Sequence, residues 1–158
     1  MVRVVTIRLR AYAGFTMIEM LVAIGIVGIL LAIAGPALSG MAASQQVRSA
    51  SHDIYSTLTQ ARSEALTRNA LVTVAPVGGD WAQGWTVTEA GGTVLRRQSA
   101  YSRVSLSGPA QVIFSGEGRP SSTAIPFAFA APDIAADAYR CVRLRLNGRS
   151  SMSRGACP

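Results

Sequence analysis

The sequence predicts an α+β protein in which one long N-terminal helix packs on an antiparallel β-sheet domain. An apolar run from Met17 to Leu38 passes into an amphipathic pattern that ends near Asn69. From residue 70 onward the chain reads as short strands separated by Gly, Pro, Asn and Ser. The 158 residues suit one core, and the apolar fraction of 49% excludes a disordered chain.

The first element is a basic leader followed by an apolar segment. Residues 1–14 carry three Arg and no acid, whereas residues 15–38 contain a single charged residue, Glu19. At about 1.5 Å per residue, a helix from Met17 to Leu38 spans roughly 33 Å, enough to cross the hydrocarbon core of a bilayer. We therefore expect a membrane-spanning helix over residues 15–38, with its N-terminus in the cytoplasm because the basic flank precedes it.

Two residues interrupt this segment. The carboxylate of Glu19 would cost about 2.5 to 3.5 kcal/mol in a membrane helix, so it needs either a cationic partner or a place in the headgroup region. Pro36 removes one helix hydrogen bond and is expected to kink the helix rather than end it. Both effects suit packing against neighbouring helices, although Pro is also common in membrane helices generally.

The helix is expected to continue as an amphipathic one to about residue 69. Its apolar face consists of residues spaced by three or four: Val47, Ser51, Ile54, Leu58, Ala61 and Ala65. His52 is the only histidine, and without neighbouring nucleophiles or carboxylates it is interpreted as a surface or packing residue. Residues 39–158 are therefore expected to form one globular domain on the far side of the membrane.

The β-rich part is predicted to form a sheet against this helix. The expected strands cover residues 71–77, 84–89, 93–98, 103–106, 111–115, 123–130 and 140–146. Gly91-Gly92 marks one hairpin, and Asn147-Gly148 has the residues of a two-residue type I′ turn that closes another. Trp81 and Trp85 are interpreted as core or sheet-edge aromatics.

The charge of the chain is carried by arginine and is concentrated at its C-terminal end. All 15 basic residues are Arg, against eight acids, and no acid follows Asp137. The last 19 residues contain five of them: Arg140, Arg143, Arg145, Arg149 and Arg154. A two-residue turn at Asn147-Gly148 would place three of these on one outer face, namely Arg143, Arg145 and Arg154, with Arg149 beside the turn.

Such a face suits a polyanion, because guanidinium groups bind phosphate oxygens bidentately and stay charged. DNA bound through its phosphates, without sequence preference, is the expected ligand. Two other interpretations remain: a solvated face that keeps an exposed sheet from aggregating, or a face that pairs with acids on neighbouring subunits.

The remaining chemistry is sparse. No His, Cys and carboxylate cluster has metal-ligand spacing, so we expect no catalytic residue, metal or cofactor. Cys141 and Cys157 are the only cysteines, and beyond the membrane they would meet an oxidising periplasm. A disulfide between them is expected, closing a loop of about 17 residues and contributing about 3 kcal/mol. A reactive thiol is the alternative.

The order of residues around Gly14 resembles the class III signal of type IV pilins and type II secretion pseudopilins. It combines a basic leader, Gly14-Phe15, a Glu at the fifth position after the Gly, and an uninterrupted apolar run. The resemblance implies that a prepilin peptidase cleaves after Gly14 and methylates the new amine of Phe15. It also implies that Glu19 pairs with that amine on a neighbouring subunit, and Pro36 is a further feature of the family.

The rest of the chain resembles a subgroup, the FimT/FimU/GspH-type minor pilins and pseudopilins. The resemblance rests on Gln60 to Ala65, Arg68-Asn69, Trp81 to Trp85, Ile113-Phe114 with Gly116 and Gly118, and Gly148-Arg149. It implies a pilin fold, no catalysis, and an inner-membrane protein that enters a filament. Other pilins, the prepilin peptidase, an assembly platform and the lipid bilayer are the implied partners.

The resemblance also bears on DNA. FimT proteins of naturally competent bacteria end in a Gly-Arg-x-Arg motif associated with DNA uptake. Gly148 and Arg149 fit the motif, but Ser151 stands where its second Arg belongs, and Arg154 is the candidate to compensate. The expected function is therefore a minor pilin that initiates assembly near the pilus tip and binds DNA. The alternative is a GspH-type minor pseudopilin of type II secretion without a nucleic-acid role.

Overall fold

A computed structural model describes residues 15–121, 125–132 and 134–158, without the side chains of residues 33–38. The predicted leader, with Gly14, lies outside the described residues. The elements are α1 (Met17–Arg68), β1 (Val72–Val77), β2 (Asp80–Glu89), β3 (Val94–Gln98), β4 (Ser105–Ser107), β5 (Val112–Phe114), β6 (Ile125–Ala130), a 3₁₀ turn (Ala136–Ala138), β7 (Arg140–Leu144) and β8 (Ser150–Arg154).

The chain divides into two compact units, the first ending at Ala37 and the second covering Leu38–Pro158. In the first unit, the side chains of residues 15–32 are exposed, and most are apolar. The sequence predicts a membrane span in this region. Among the helices that the structure describes, none is long and apolar enough to cross a membrane.

In the second unit, one stripe of α1 is buried. The predicted apolar face is confirmed, because all six of its residues are fully buried: Val47, Ser51, Ile54, Leu58, Ala61 and Ala65. The helix ends at Arg68, and the left-handed φ of 48° at Asn69 is typical of the residue that follows a helix. Every residue of the buried core lies between Ala43 and Leu144, so the second unit carries its own hydrophobic core.

The strands form two sheets rather than the single sheet that the sequence suggests. The first sheet has the order β3-β2-β1-β5 and the second has the order β4-β6-β7-β8, with every pairing antiparallel. Alternating residues predict which face of a strand is buried, but they do not specify its neighbours. The boundaries also shift, since β2 begins at Asp80 instead of residue 84 and β7 ends at Leu144 instead of residue 146.

Three loops share one backbone geometry. In each, the residue before the loop donates its backbone N–H to the carbonyl of the residue after the loop. The third loop residue is Gly, and its N–H donates to the carbonyl of the residue before the loop. The first set of bonds is Glu89 to Thr93, Ser115 to Arg119 and Arg145 to Arg149, at 2.9 to 3.0 Å. The glycines are Gly92, Gly118 and Gly148, with φ between 71° and 83°. Three-residue loops of this kind place a left-handed residue last, where glycine is favoured.

Aromatic side chains connect α1 to the first sheet. Trp85 donates from Nε1 to Thr57 Oγ1 at 3.1 Å, and both residues are fully buried. Tyr101 stacks on Trp85 with ring centroids 6.0 Å apart and donates its hydroxyl to Asp53 Oδ2 at 2.6 Å. Trp81 is also buried, so the sequence-based interpretation of both tryptophans as core residues is confirmed.

The Tyr101–Asp53 hydrogen bond predicts a loss of stability at alkaline pH. Partial burial, followed by the bond to the Asp53 carboxylate, raises the pKa of Tyr101 above its ordinary value of 10.0. As pH rises past about 10, the unfolded chain loses the phenolic proton while the folded chain keeps it, which favours unfolding. The contribution of this residue is therefore constant below that pH and falls above it.

We expect Tyr101→Phe to lower the free energy of unfolding by about 1 to 2 kcal/mol at neutral pH, because Asp53 loses a charge-assisted hydrogen bond at a half-buried site. The substitution should also flatten the decline in stability above pH 10. Urea unfolding between pH 7 and pH 11 measures both effects, with Tyr55→Phe as the exposed control. Parallel pH profiles for wild type and Tyr101→Phe would contradict the assignment.

Candidate nucleic-acid interface

The β7–β8 hairpin carries the arginine-rich end, and its register differs from the predicted one. Arg143 lies opposite Ser151 and Arg140 lies opposite Arg154. The expected two-residue turn is wrong because the loop contains three residues, Leu146 to Gly148, and only Gly148 has a positive φ. The extra loop residue shifts β8 by one position, and a shift of one residue moves every side chain of a strand to the other face.

The corrected register divides the arginines. Arg143 and Arg145 alternate with the buried residues Val142 and Leu144, so they lie on the outer face of the second sheet. Arg149 faces Arg145 across the loop, because the backbone N–H of Arg145 donates to the carbonyl oxygen of Arg149 at 3.0 Å. We call Arg143, Arg145 and Arg149 the outer arginine face.

Arg154 does not belong to this face, which corrects the sequence-based expectation. It lies directly opposite Arg140 on the face that carries Val142 and Leu144. Ser151, which stands in place of the second motif arginine, instead lies opposite Arg143. The guanidinium group next to the Ser151 position therefore comes from Arg143 on the partner strand rather than from Arg154.

The outer arginine face is unbalanced in charge. Among the described residues, both ion pairs with a carboxylate involve Arg68, and none involves these three arginines. A cavity of about 300 Å³ lies beside two of the three, lined by Arg145, Asn147, Arg149, Ser150 and Ser151. Like charges on directly opposite residues of a hairpin are destabilising, so the arrangement favours an anion between Arg145 and Arg149, which flank the loop.

The hairpin loop is fixed by contacts with α1 and with a second loop. Arg62 of α1 donates from Nε to the Gly118 carbonyl at 3.0 Å. A Cβ atom built on Gly148 would collide with that same carbonyl and with the Arg62 side chain. Asn147 adds a local bond, since its Oδ1 accepts from the Arg149 N–H at 3.1 Å. These contacts position Arg149 relative to the helix.

The expected disulfide is confirmed. Cys141 and Cys157 are bonded, with 5.1 Å between their Cα atoms. Cys141 lies on the same face of β7 as Arg143 and Arg145, two and four residues before them. The bond therefore joins the chain after β8 to the strand that carries Arg143 and leads directly into Arg145.

At the other end of the chain, Thr16 and Glu19 form reciprocal hydrogen bonds around the start of α1. The Thr16 hydroxyl accepts from the Glu19 N–H at 3.3 Å, and Glu19 Oε2 accepts from the Thr16 N–H at 3.4 Å. This is a capping box, and the spacing Thr-x-x-Glu is a signal for it that the sequence analysis missed. The backbone at Pro36 is helical, whereas its side chain lies outside the described ones. Pairing of Glu19 with a neighbouring amine stays a prediction.

Comparisons with known proteins identify the family. The sequence profile described as type II transport protein GspH matches residues 50–149, which is more than half of the chain. The chain belongs to the GspH family.

A second profile, the prokaryotic N-terminal methylation motif, matches residues 9–35 of this GspH-family chain and covers Gly14, Phe15 and Glu19. No curated protein matches this sequence. Two crystal forms of the type IV minor pilin FimU from Pseudomonas aeruginosa are similar in structure. One has a TM-score of 0.60 at 21% identity, covering 69% of this chain and 89% of FimU. The other has a TM-score of 0.58 at 22% identity, covering 67% and 91%.

These matches confirm the predicted family and the predicted fold. A helix packed on antiparallel β-sheets is the pilin fold of FimU, and the family of minor pilins and pseudopilins is structural rather than enzymatic. Within the described ranges, no group of three or more His, Cys, Asp and Glu residues is placed to hold a metal ion.

The contacts of Gly148 predict that Gly148→Ala destabilises the second unit by about 2 to 4 kcal/mol, as backbone strain and overpacking add. The positive φ disfavours any L side chain, and the added methyl group meets the Gly118 backbone, which has little freedom to move. Thermal unfolding of residues 39–158 measures the effect. Gly92→Ala is the matched control, because it has the same loop geometry with open space around it. Equal losses in both variants would refute the packing argument.

Proposed function

We propose that this GspH-family chain is a minor type IV pilin that helps to initiate pilus assembly near the tip and binds DNA through its outer arginine face. Membership of the family supports a role as a filament building block. The DNA-binding part of the proposal is more specific, and the positive charge of the outer arginine face is the observation that supports it.

The N-terminal segment is proposed to anchor the chain before assembly and to pack against other pilins afterwards. Residues 15–32 expose a nearly continuous apolar surface, which is unfavourable in water unless lipid or neighbouring helices cover it. We propose a single pass through the bacterial inner membrane, with a cytoplasmic N-terminus and a periplasmic second unit. A prepilin peptidase would cleave between Gly14 and Phe15 and methylate Phe15, in keeping with the matched methylation motif. The assembly platform would then insert the chain into the filament.

The DNA-binding proposal rests on three guanidinium groups that form no ion pair with an Asp or Glu side chain among the described residues. Arg143 makes one long contact, from Nη2 to the main-chain oxygen of Pro158 at 3.5 Å. Residues two apart on a strand lie about 6.8 Å from each other, so Arg143 and Arg145 are spaced to contact different phosphates. Arg149 adds a third contact from the position just after the loop. Aromatic side chains do not interrupt this face, which favours contact with phosphates over stacking on bases.

A second function is favoured by the profile match itself. The matching family is described as a type II transport protein, so the same fold and processing would serve a minor pseudopilin in protein secretion. In that case the outer arginine face would contact acidic groups of neighbouring subunits or solvent. Direct measurement of DNA binding separates the two functions.

The salt dependence of DNA binding tests the role of the outer arginine face. Three phosphate contacts predict that log K falls with log salt with a slope near −2.7, at about −0.9 for each contact. Arg145→Gln should reduce the magnitude of this slope by about 0.9 on duplexes of any sequence. Fluorescence anisotropy of residues 39–158 with a labelled duplex at 20 to 200 mM salt measures both slopes.

Arg97→Gln is the matched control, because Arg97 is exposed on β3, outside the second sheet. It removes the same charge from the chain and should leave the slope near −2.7. Two results would exclude the DNA role and favour the secretion role: no anisotropy change at the lowest salt, or an equal reduction in the magnitude of the slope by both variants.

Glu19 is predicted to act in assembly through its charge rather than through its capping bonds. Glu19→Gln keeps an amide oxygen able to accept the capping hydrogen bond, because Gln also serves at this position of a capping box. It removes the charge that would pair with the Phe15 amine of a neighbour. We expect incorporation into filaments to fall more than about tenfold, since removing one partner of a buried charge pair is costly. Immunoblots of sheared filaments and of membranes measure incorporation, with Thr16→Ala as the capping control. Wild-type incorporation of Glu19→Gln would exclude the charge role.

A further inference from the structure

A second basic cluster lies on the opposite side of the β7–β8 hairpin from the outer arginine face. It surrounds a cavity of about 310 Å³ lined by Arg48, His52, Arg140, Met152, Ser153 and Arg154. Arg48 and His52 are one turn apart on α1, whereas Arg140 and Arg154 lie on β7 and β8. The cavity thus collects three guanidinium groups and one imidazole from three elements of the second unit.

Electrostatics within the cluster are unfavourable without a ligand. Arg140 and Arg154 occupy directly opposite positions on antiparallel strands, where like charges repel. Partial burial, with Arg154 and Arg48 as further causes, lowers the pKa of Arg140, and only Asp137 acts in the opposite direction. Neither Arg48 nor Arg154 forms an ion pair with a carboxylate in the part of the chain that the structure describes.

Arg140 is held in place by the turn before β7. Its Nη1 lies 2.7 Å from the carbonyl oxygen of Tyr139, 3.0 Å from that of Ala138 and 3.2 Å from that of Asp137. Those bonds use one nitrogen and leave Nε and Nη2 without a hydrogen-bond partner among the described residues. A guanidinium fixed in this way loses little side-chain entropy when it binds a ligand.

We propose that this cavity is an oxyanion site that binds one phosphoryl group, separate from the outer arginine face. A phosphoryl group is tetrahedral, so its oxygens can meet donors that approach from α1, β7 and β8: free phosphate presents four terminal oxygens and a phosphodiester presents two terminal and two ester oxygens, whereas a carboxylate presents two oxygens in one plane. At about 310 Å³ the cavity is large enough to admit a phosphoryl group. The lining supplies cationic donors from three arginines, an imidazole from His52 and a hydroxyl from Ser153.

The phosphoryl group has three available sources: free phosphate, a phosphodiester of a nucleic acid, and a phospholipid headgroup. All three present phosphoryl oxygens to the cavity, and they differ in size and in the groups attached to the phosphate. Separate arms of the experiment with each compound therefore identify the source without changing the site.

The test is a titration of ¹⁵N-labelled residues 39–158 with inorganic phosphate at constant ionic strength, with chloride as the balancing salt. Saturable shifts are expected in the arginine Nε–H signals of Arg140 and Arg154 and in the ring of His52. Arg48→Gln, an exposed change on α1, should weaken phosphate binding about tenfold, because it removes one charge-assisted contact. Arg97→Gln and Arg145→Gln should leave binding unchanged.

Competition then assigns the source. Displacement of phosphate by a short thymidine oligonucleotide indicates a phosphodiester, displacement by phosphatidylglycerol vesicles indicates a headgroup, and displacement by neither indicates free phosphate. Each of these results supports the site. The proposal is overturned if phosphate shifts do not saturate, or if Arg48→Gln binds as tightly as wild type. Because Arg145→Gln reports on the outer arginine face alone, the DNA proposal and this one fail independently.

Discussion

Burial of a single stripe of α1 is the constraint on which the second unit depends. The residues from Val47 to Ala65 that face inward are fully buried and belong to the same core as Val74 of the first sheet and Val142 of the second. A sheet of three or four strands needs a cover for its apolar face, and here one helix covers both sheets. The two clusters of arginines consequently lie on opposite sides of the second sheet. The outer arginine face points away from α1, and the cluster around Arg140 and Arg154 lies next to α1.

The sequence was sufficient to predict the helix, most of the strands and the family, because these depend on patterns that are local in the chain. The spacing of Ile54 and Leu58 predicts a buried stripe, and Gly91-Gly92 predicts a hairpin. The partition into two sheets depends on pairings between residues far apart, such as Val72 with Phe114, and no local signal specifies them. The disulfide was predictable because only one pair of cysteines exists.

The candidate site was predicted only in part, and the error came from one loop. Asn147-Gly148 has the composition of a two-residue turn, but Leu146 joins it in a three-residue loop of the kind that also follows Glu89 and Ser115. The close approach of Gly148 to Gly118 and Arg62 is a tertiary contact, invisible in the residues of the loop itself. One additional loop residue thus determines which arginines lie on the same face, and it places the expected members of one face in two clusters on opposite sides of the hairpin.

The disulfide has a mechanical consequence for a protein whose family forms filaments. Strand β8 is an edge strand, and an edge strand under load can peel away from its neighbour one hydrogen bond at a time. Here the chain from Cys141 through the loop and β8 to Cys157 is a closed covalent ring. Tension applied at Arg149 is therefore carried by peptide bonds on one side and by the sulfur bridge on the other. Strand β8 can therefore separate from β7 only as far as the closed ring allows. It stays covalently attached to β7 at both ends even when the hydrogen bonds between the two strands have broken.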